Sequence, residues 1–140
     1  MGKINIGRLI LGGIVAGIVL DVLGSLVDGV WLAPRWANGM LGLGRTSFST
    51  CMLVGFNVLG LLGGIALVWI YAAIRPRFGA GAKTAVYAGL VYWIVNVLFP
   101  NLGFMWIPHL FGHVLTAMTT AAGLVEVIAA AIAGAAVYKE

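Results

Sequence analysis

Charge is scarce in this chain. Eight basic and four acidic residues are spread over 140 positions, and a composition 9% charged and 62% hydrophobic excludes an ordinary water-soluble domain. Cysteine is scarcer still. Cys51 alone excludes an internal disulfide and any cysteine-rich metal site, leaving a small hydrophobe or, between two copies, an intermolecular bridge. The basic residues are too few and too scattered to follow a phosphate backbone, so nucleic acid is not an expected partner. Catalytic signatures are missing as well. There is no phosphate-cradling glycine loop and no nucleophilic-serine elbow, and Leu110, Phe111 and Gly112 between His109 and His113 supply no metalloprotease glutamate. Ser25, Ser47 and Ser49 stand near no evident base and read as packing or capping residues. No enzyme activity is expected.

What is abundant is hydrocarbon and glycine. A mean hydropathy of +1.09 and 21 glycines suit helices that lie in lipid and approach one another closely through small residues. Four apolar stretches, about 9–32, 48–74, 84–99 and 108–138, predict a single all-α domain, a four-transmembrane-helix bundle. The third is short and is expected to begin in the interface. Lys3 and Arg8 ahead of the first stretch superficially match a secretory signal, but no small-residue cleavage site follows and Asp21 interrupts the place for one. The stretch reads as a retained first span.

Topology follows from the loops. Lys3, Arg8, Arg75, Arg77, Lys83 and Lys139 fall on one side of this map, and Arg35 and Arg45 on the other. The positive-inside rule therefore predicts that both termini are cytoplasmic. The segment from Arg75 to Lys83, with Pro76, Gly79 and Gly81, reads as a loop whose proline and glycines stop the flanking helices. On the other side, Trp31 to Leu43 reads as an amphipathic segment at the headgroups, and the stretch from Pro100 to Pro108 as its counterpart. Trp31, Trp36 and Trp106 are the expected interface anchors.

Ionisable groups inside the apolar stretches are the candidates for function, because charge in hydrocarbon is costly and normally faces protein or water. Gly13, Gly17, Asp21, Gly24 and Asp28 recur at helical steps on one face of the first span. Thr116, Thr119, Thr120, Gly123 and Glu126 do the same on the fourth. Asp21, Asn96 and Glu126 each stand thirteen positions from a basic residue, Arg8, Lys83 and Lys139 respectively. At ~1.5 Å per residue that is a common height of ~20 Å. The coincidence predicts a buried polar layer of Asp21, Asn96 and Glu126, with Tyr92 one turn below. Such a layer is either polar glue holding helices together around a shared proton, or a proton- or cation-binding site on a transport path. Asp28 and Asn57 lie nearer the surface remote from the termini. There His109 and His113, one turn apart, together with Asp28 could hold a divalent metal, or one histidine a haem; the plain alternative is that both sit in the wet first turns of the fourth span. No other cofactor is implied.

The run from Val30 through Trp31, Pro34 and Trp36 to Gly44, and the loop Ile74-Arg75-Pro76-Arg77-Phe78-Gly79 with Lys83 and Thr84, resemble segments of small four-helix bacterial inner-membrane proteins of unknown function. Leu32 stands where an aromatic is usual. The resemblance implies the four-span layout and an inner-membrane location, and carries no activity with it. Gly12, Gly13, Gly60, Gly63, Gly64 and Gly134 read as more close-approach surface than one small bundle needs. They predict a homo-oligomer or an accessory subunit of a larger membrane complex, with the bilayer as the third partner.

Overall fold

The computed structural model describes residues 4–45, 47–107 and 111–139, and within them the chain is an all-α bundle. Helix α1 spans Ile6–Trp31, α2 Ala33–Gly42, α3 Thr50–Phe78, α4 Ala82–Met105 and α5 His113–Val137. All but α2 are long and apolar enough to cross a membrane. Four crossings put both chain ends on the same side.

Each helix begins or ends for a local reason. The Asn5 side chain accepts from the Arg8 amide at 3.1 Å and Ser49 from that of Met52 at 3.3 Å, giving α1 and α3 side-chain N-caps. Pro76 does not stop α3. It lies inside the last turns, and the helix runs on to Phe78 before Gly79 turns away at φ +83°, a conformation glycine adopts without steric cost. The loop is then pinned: Tyr71 accepts from the Gly81 amide at 3.1 Å, and the Thr84 hydroxyl donates to the Gly79 carbonyl at 2.7 Å.

The third span is longer than expected. It continues past residue 99 to Met105, so the stretch after Pro100 is mostly helix rather than a separate headgroup segment. The reason lies in a π-helical turn over Ile94–Leu98, whose wider winding lets the helix pass a proline that lacks an amide proton. A second π-helical turn, Val27–Trp31, closes α1. The fourth span starts at His113; Pro108, taken as its beginning, lies outside the described residues, as does His109.

The bundle is centred on α1, which packs most extensively on α3 and α5, while α4 closes the group against α5 and then α3. Its buried heart is made of small and branched side chains, with Ala16, Leu67, Val68, Ala85, Ala88 and Ala130 all fully enclosed. Where α1 crosses α3, a β-carbon added at Gly64 would collide with the backbone at Gly13 and Gly17, and one at Gly17 would stand 2.6 Å from the Leu61 Cα. Where α1 crosses α5, a β-carbon on Gly12 would lie 2.8 Å from the Gly134 carbonyl oxygen. Gly60 and Gly63 are likewise occupied, by Asp21 and by the Tyr92 hydroxyl. All six glycines invoked for contacts between molecules are thus filled from within one chain. The close-approach surface read as surplus is consumed by the bundle itself, because a compact four-helix packing needs backbone contact at two crossings of α1.

At the end bearing the termini, the Tyr71 and Tyr138 rings meet edge-on at 6.0 Å and the Arg75 guanidinium lies over the Tyr138 ring at 5.6 Å. This amphipathic belt closes the bundle base.

Backbone contact at Gly64 makes a direct prediction. Gly64→Ala should destabilise the fold by about 1–3 kcal/mol, the usual cost of overpacking, whereas Gly55→Ala on the same helix, where a β-carbon would meet nothing within 4 Å, should not destabilise it. Unfolding titrations in mixed micelles would read both; equal stabilities would remove the crossing as the structural centre.

Candidate functional site

The polar residues inside the spans are placed by the same crossings. Because Gly60 lacks a side chain, Asp21 on α1 lays its carboxylate against α3. Asp21 and Val22, Ser25, Leu26 and Val30 from α1, with Asn57 from α3, line a shallow recess of about 340 Å³ on the flank of the bundle. Asn57 donates its amide to the Leu53 carbonyl of its own helix at 2.8 Å, and among the described residues nothing donates to Asp21.

Glu126 on α5 faces a different part of α1. A β-carbon on Gly24 would be 3.8 Å from its Oε2, and Asp28, one turn further along α1, lies within electrostatic reach. Asp28 is itself anchored: the Trp36 indole Nε1 donates to its Oδ1 at 3.0 Å. The two carboxylates brought into one environment are therefore Asp28 and Glu126, beneath the short helix α2.

Asn96 and Tyr92 sit elsewhere again. They line a recess of about 600 Å³ between α3 and α4 together with Leu59, Gly63, Trp69 and Ile70, and Asn96 donates to the Tyr92 carbonyl of its own helix at 3.2 Å. The structure sets Asp21 against Gly60 of α3, Glu126 against Gly24 of α1, and Asn96 beside Tyr92 in the recess between α3 and α4. Height along a helix was read from residue spacing, but direction around the helix depends on which crossing each residue faces.

Two features of this region lie beyond what residue spacing shows. Trp36, expected as an interface anchor, turns inward. Besides its bond to Asp28 it packs edge-on against Phe48 at 5.9 Å and Phe111 at 5.2 Å, tying α2 to the segments that lead into α3 and α5. Trp31 and Trp106, at 61% and 88% exposure, keep the orientation of anchors. The second feature is a chain of bonds between α4 and α5: the Trp93 indole donates to the Thr120 carbonyl at 2.9 Å, and the Asn101 amide to the Thr120 hydroxyl at 2.8 Å. That hydroxyl donates in turn to the Thr116 carbonyl at 2.6 Å. The threonine stripe was visible in the sequence as a helical face; its partners Trp93 and Asn101 come from a helix whose rotation no spacing reveals.

The π-helical turns coincide with this chemistry. One contains Asp28 and the other Asn96, and such turns often redirect polar side chains at functional positions. Among the described residues no group of three histidine, cysteine, aspartate or glutamate side chains converges, and His109 of the expected pair lies outside them. His113 is exposed at the first turn of α5, and Cys51 is exposed near the start of α3.

Fold and site together define a multi-pass, all-α membrane protein with carboxylates on its first and last spans. Comparison with known proteins finds no match among protein-family models, curated proteins or solved structures.

The bond from Trp36 to Asp28 can be isolated by chemistry. Trp36→Phe keeps an aromatic ring but removes the donor, and should lower stability by about 1 kcal/mol, the typical net worth of one hydrogen bond. Asp28→Asn keeps a carbonyl oxygen for the indole and should cost less than Asp28→Leu. A ranking in which Asp28→Leu is the mildest of the three, read from thermal midpoints in detergent, would show that the bond does not hold α2.

Proposed function

We propose that this chain is a non-catalytic membrane protein that works by assembling with other transmembrane helices, as a homo-oligomer or as an accessory subunit of a larger complex. The observation that carries the reading is the recess at Asp21, Ser25 and Asn57. Its rim is lipid-facing hydrocarbon, with Val22 at 53%, Leu26 at 56% and Val30 at 70% exposure, yet a carboxyl group without a donor lies within it. A polar group left against lipid is costly, and neighbouring helices are what normally cover one. The support is therefore polar rather than glycine-based. We place the protein in the bacterial inner membrane with both termini cytoplasmic, on the strength of the loop charges and the four-span resemblance.

A cysteine placed at Ser25, in a chain whose Cys51 is replaced by alanine, should cross-link to another transmembrane helix in intact membranes several-fold more than one placed at Ile132, which is also exposed. A chain that stays strictly monomeric from both positions, and by native mass spectrometry in mild detergent, would overturn the assembly reading.

A second reading, proton- or cation-coupled transport using Asp21 and Glu126, is favoured by one observation. Glu126 lies against Gly24 of α1, one helical turn from Asp21 on one side and from Asp28 on the other, so the acid of the last span borders both acids of the first, and intramembrane acids can relay protons. If it holds, proteoliposomes carrying Glu126→Gln should lose most of the proton or cation flux of the unsubstituted protein. Equal flux above background in both would take Glu126 out of the mechanism.

A further inference from the structure

The assembly reading leaves the covering helix undefined, and the chemistry of the recess narrows it. Asp21 stands about 15 Å from the Trp31 end of α1 at ~1.5 Å per residue, well inside the apolar span. Its carboxylate rests against the Gly60 backbone, accepts no hydrogen bond from any described residue, and opens sideways between exposed valines and leucines. The Asn57 amide is already committed to Leu53. The second recess, around Tyr92 and Asn96, contains no ionisable acid or base apart from the tyrosine.

A second copy of this chain is a poor occupant. Within the four spans its cations are confined to the terminal turns: Arg8 near the start of α1, Arg75 and Arg77 at the end of α3, and Lys83 at the start of α4. Arg35, Arg45 and Lys139 lie outside the spans. Among the described residues, no cation lies within a span at the level of Asp21. A symmetric contact through this flank would set one carboxyl group against another with no cation to pair with either, so the two could be accommodated only by sharing a proton.

Resting on the assembly reading, we infer that the recess between α1 and α3 receives a transmembrane helix of a different protein, one bearing a lysine or arginine near its middle that pairs with Asp21. The long aliphatic stem of such a residue would lie along Val22, Leu26 and Val30 while its charged end reaches the carboxylate. Ser25 and the Asn57 carbonyl oxygen stand beside it to accept further hydrogen bonds. Each charge alone in lipid is expensive, and each removes the other's cost, so the pair selects its partner as well as binding it.

The test uses the full chain in phospholipid vesicles and, as probes, labelled polyleucine helices with a single central lysine, glutamine or leucine, with association read by energy transfer. The lysine helix should associate about tenfold more tightly than the leucine helix, equivalent to about 1.4 kcal/mol. Asp21→Asn should abolish that preference and Asp21→Glu should keep it. Circular dichroism and thermal midpoints establish that each variant is folded; should Asp21→Asn be unfolded, filling the recess with Val30→Trp provides the same comparison. Equal association of all three helices, equal association of the glutamine and lysine helices, or a lysine preference that survives Asp21→Asn would overturn the inference. If the chain still cross-links through Ser25→Cys while showing no lysine preference, this inference falls and assembly stands; if no cross-link forms at all, it is the assembly reading that fails.

Discussion

Backbone-to-backbone contact along α1 is the constraint on which the rest of the molecule depends. In lipid there is little hydrophobic force pressing helices together, so a small bundle holds by van der Waals contact at close range and by the few polar bonds it can satisfy. Here Gly13 and Gly17 meet Gly64 of α3, and Gly12 meets Gly134 of α5. A β-carbon is excluded at each of these glycines. That excludes variation in helix rotation too, since turning α1 by one residue would bring Ile14 or Ile18 into a gap sized for a hydrogen atom. The large lipid-facing residues of α1 are therefore set outward, and its two acids are set beside particular neighbours.

Those neighbours differ because the two crossings lie on different sides of α1. Asp21 falls on the α3 side, where Gly60 leaves room for its carboxylate, and it faces outward into the recess. Asp28 falls toward α5 and Glu126, and is held there by Trp36 reaching back from α2. A single helical face in the sequence thus serves two sites. One is internal, roofed by α2 and its aromatic contacts. The other opens sideways between the exposed apolar side chains Val22, Leu26 and Val30.

Much of this was readable from the residues. Long apolar runs place the spans, since a helix satisfies its own backbone in hydrocarbon. Exceptions arise where a local rule met a longer-range one. Pro100 marks a helix end by its chemistry, but the π-helical turn ahead of it absorbs the proline and α4 continues to Met105. Pro76 sits too near the end of α3 to break it. The six glycines read as contacts between molecules because residue counting gives the amount of small surface and says nothing about which partner uses it.

By itself, then, the order of residues determined the class of protein, the number of long apolar helices and the shared side of the two ends, because hydropathy is a local property. Tertiary structure alone decided which way each polar group points: Asp21 toward α3 and lipid, Glu126 toward Asp28, Asn96 toward neither, and Trp36 inward. Azimuth around a helix is settled by where two helices touch, and that contact joins residues as distant as Gly12 and Gly134, between which no local rule operates.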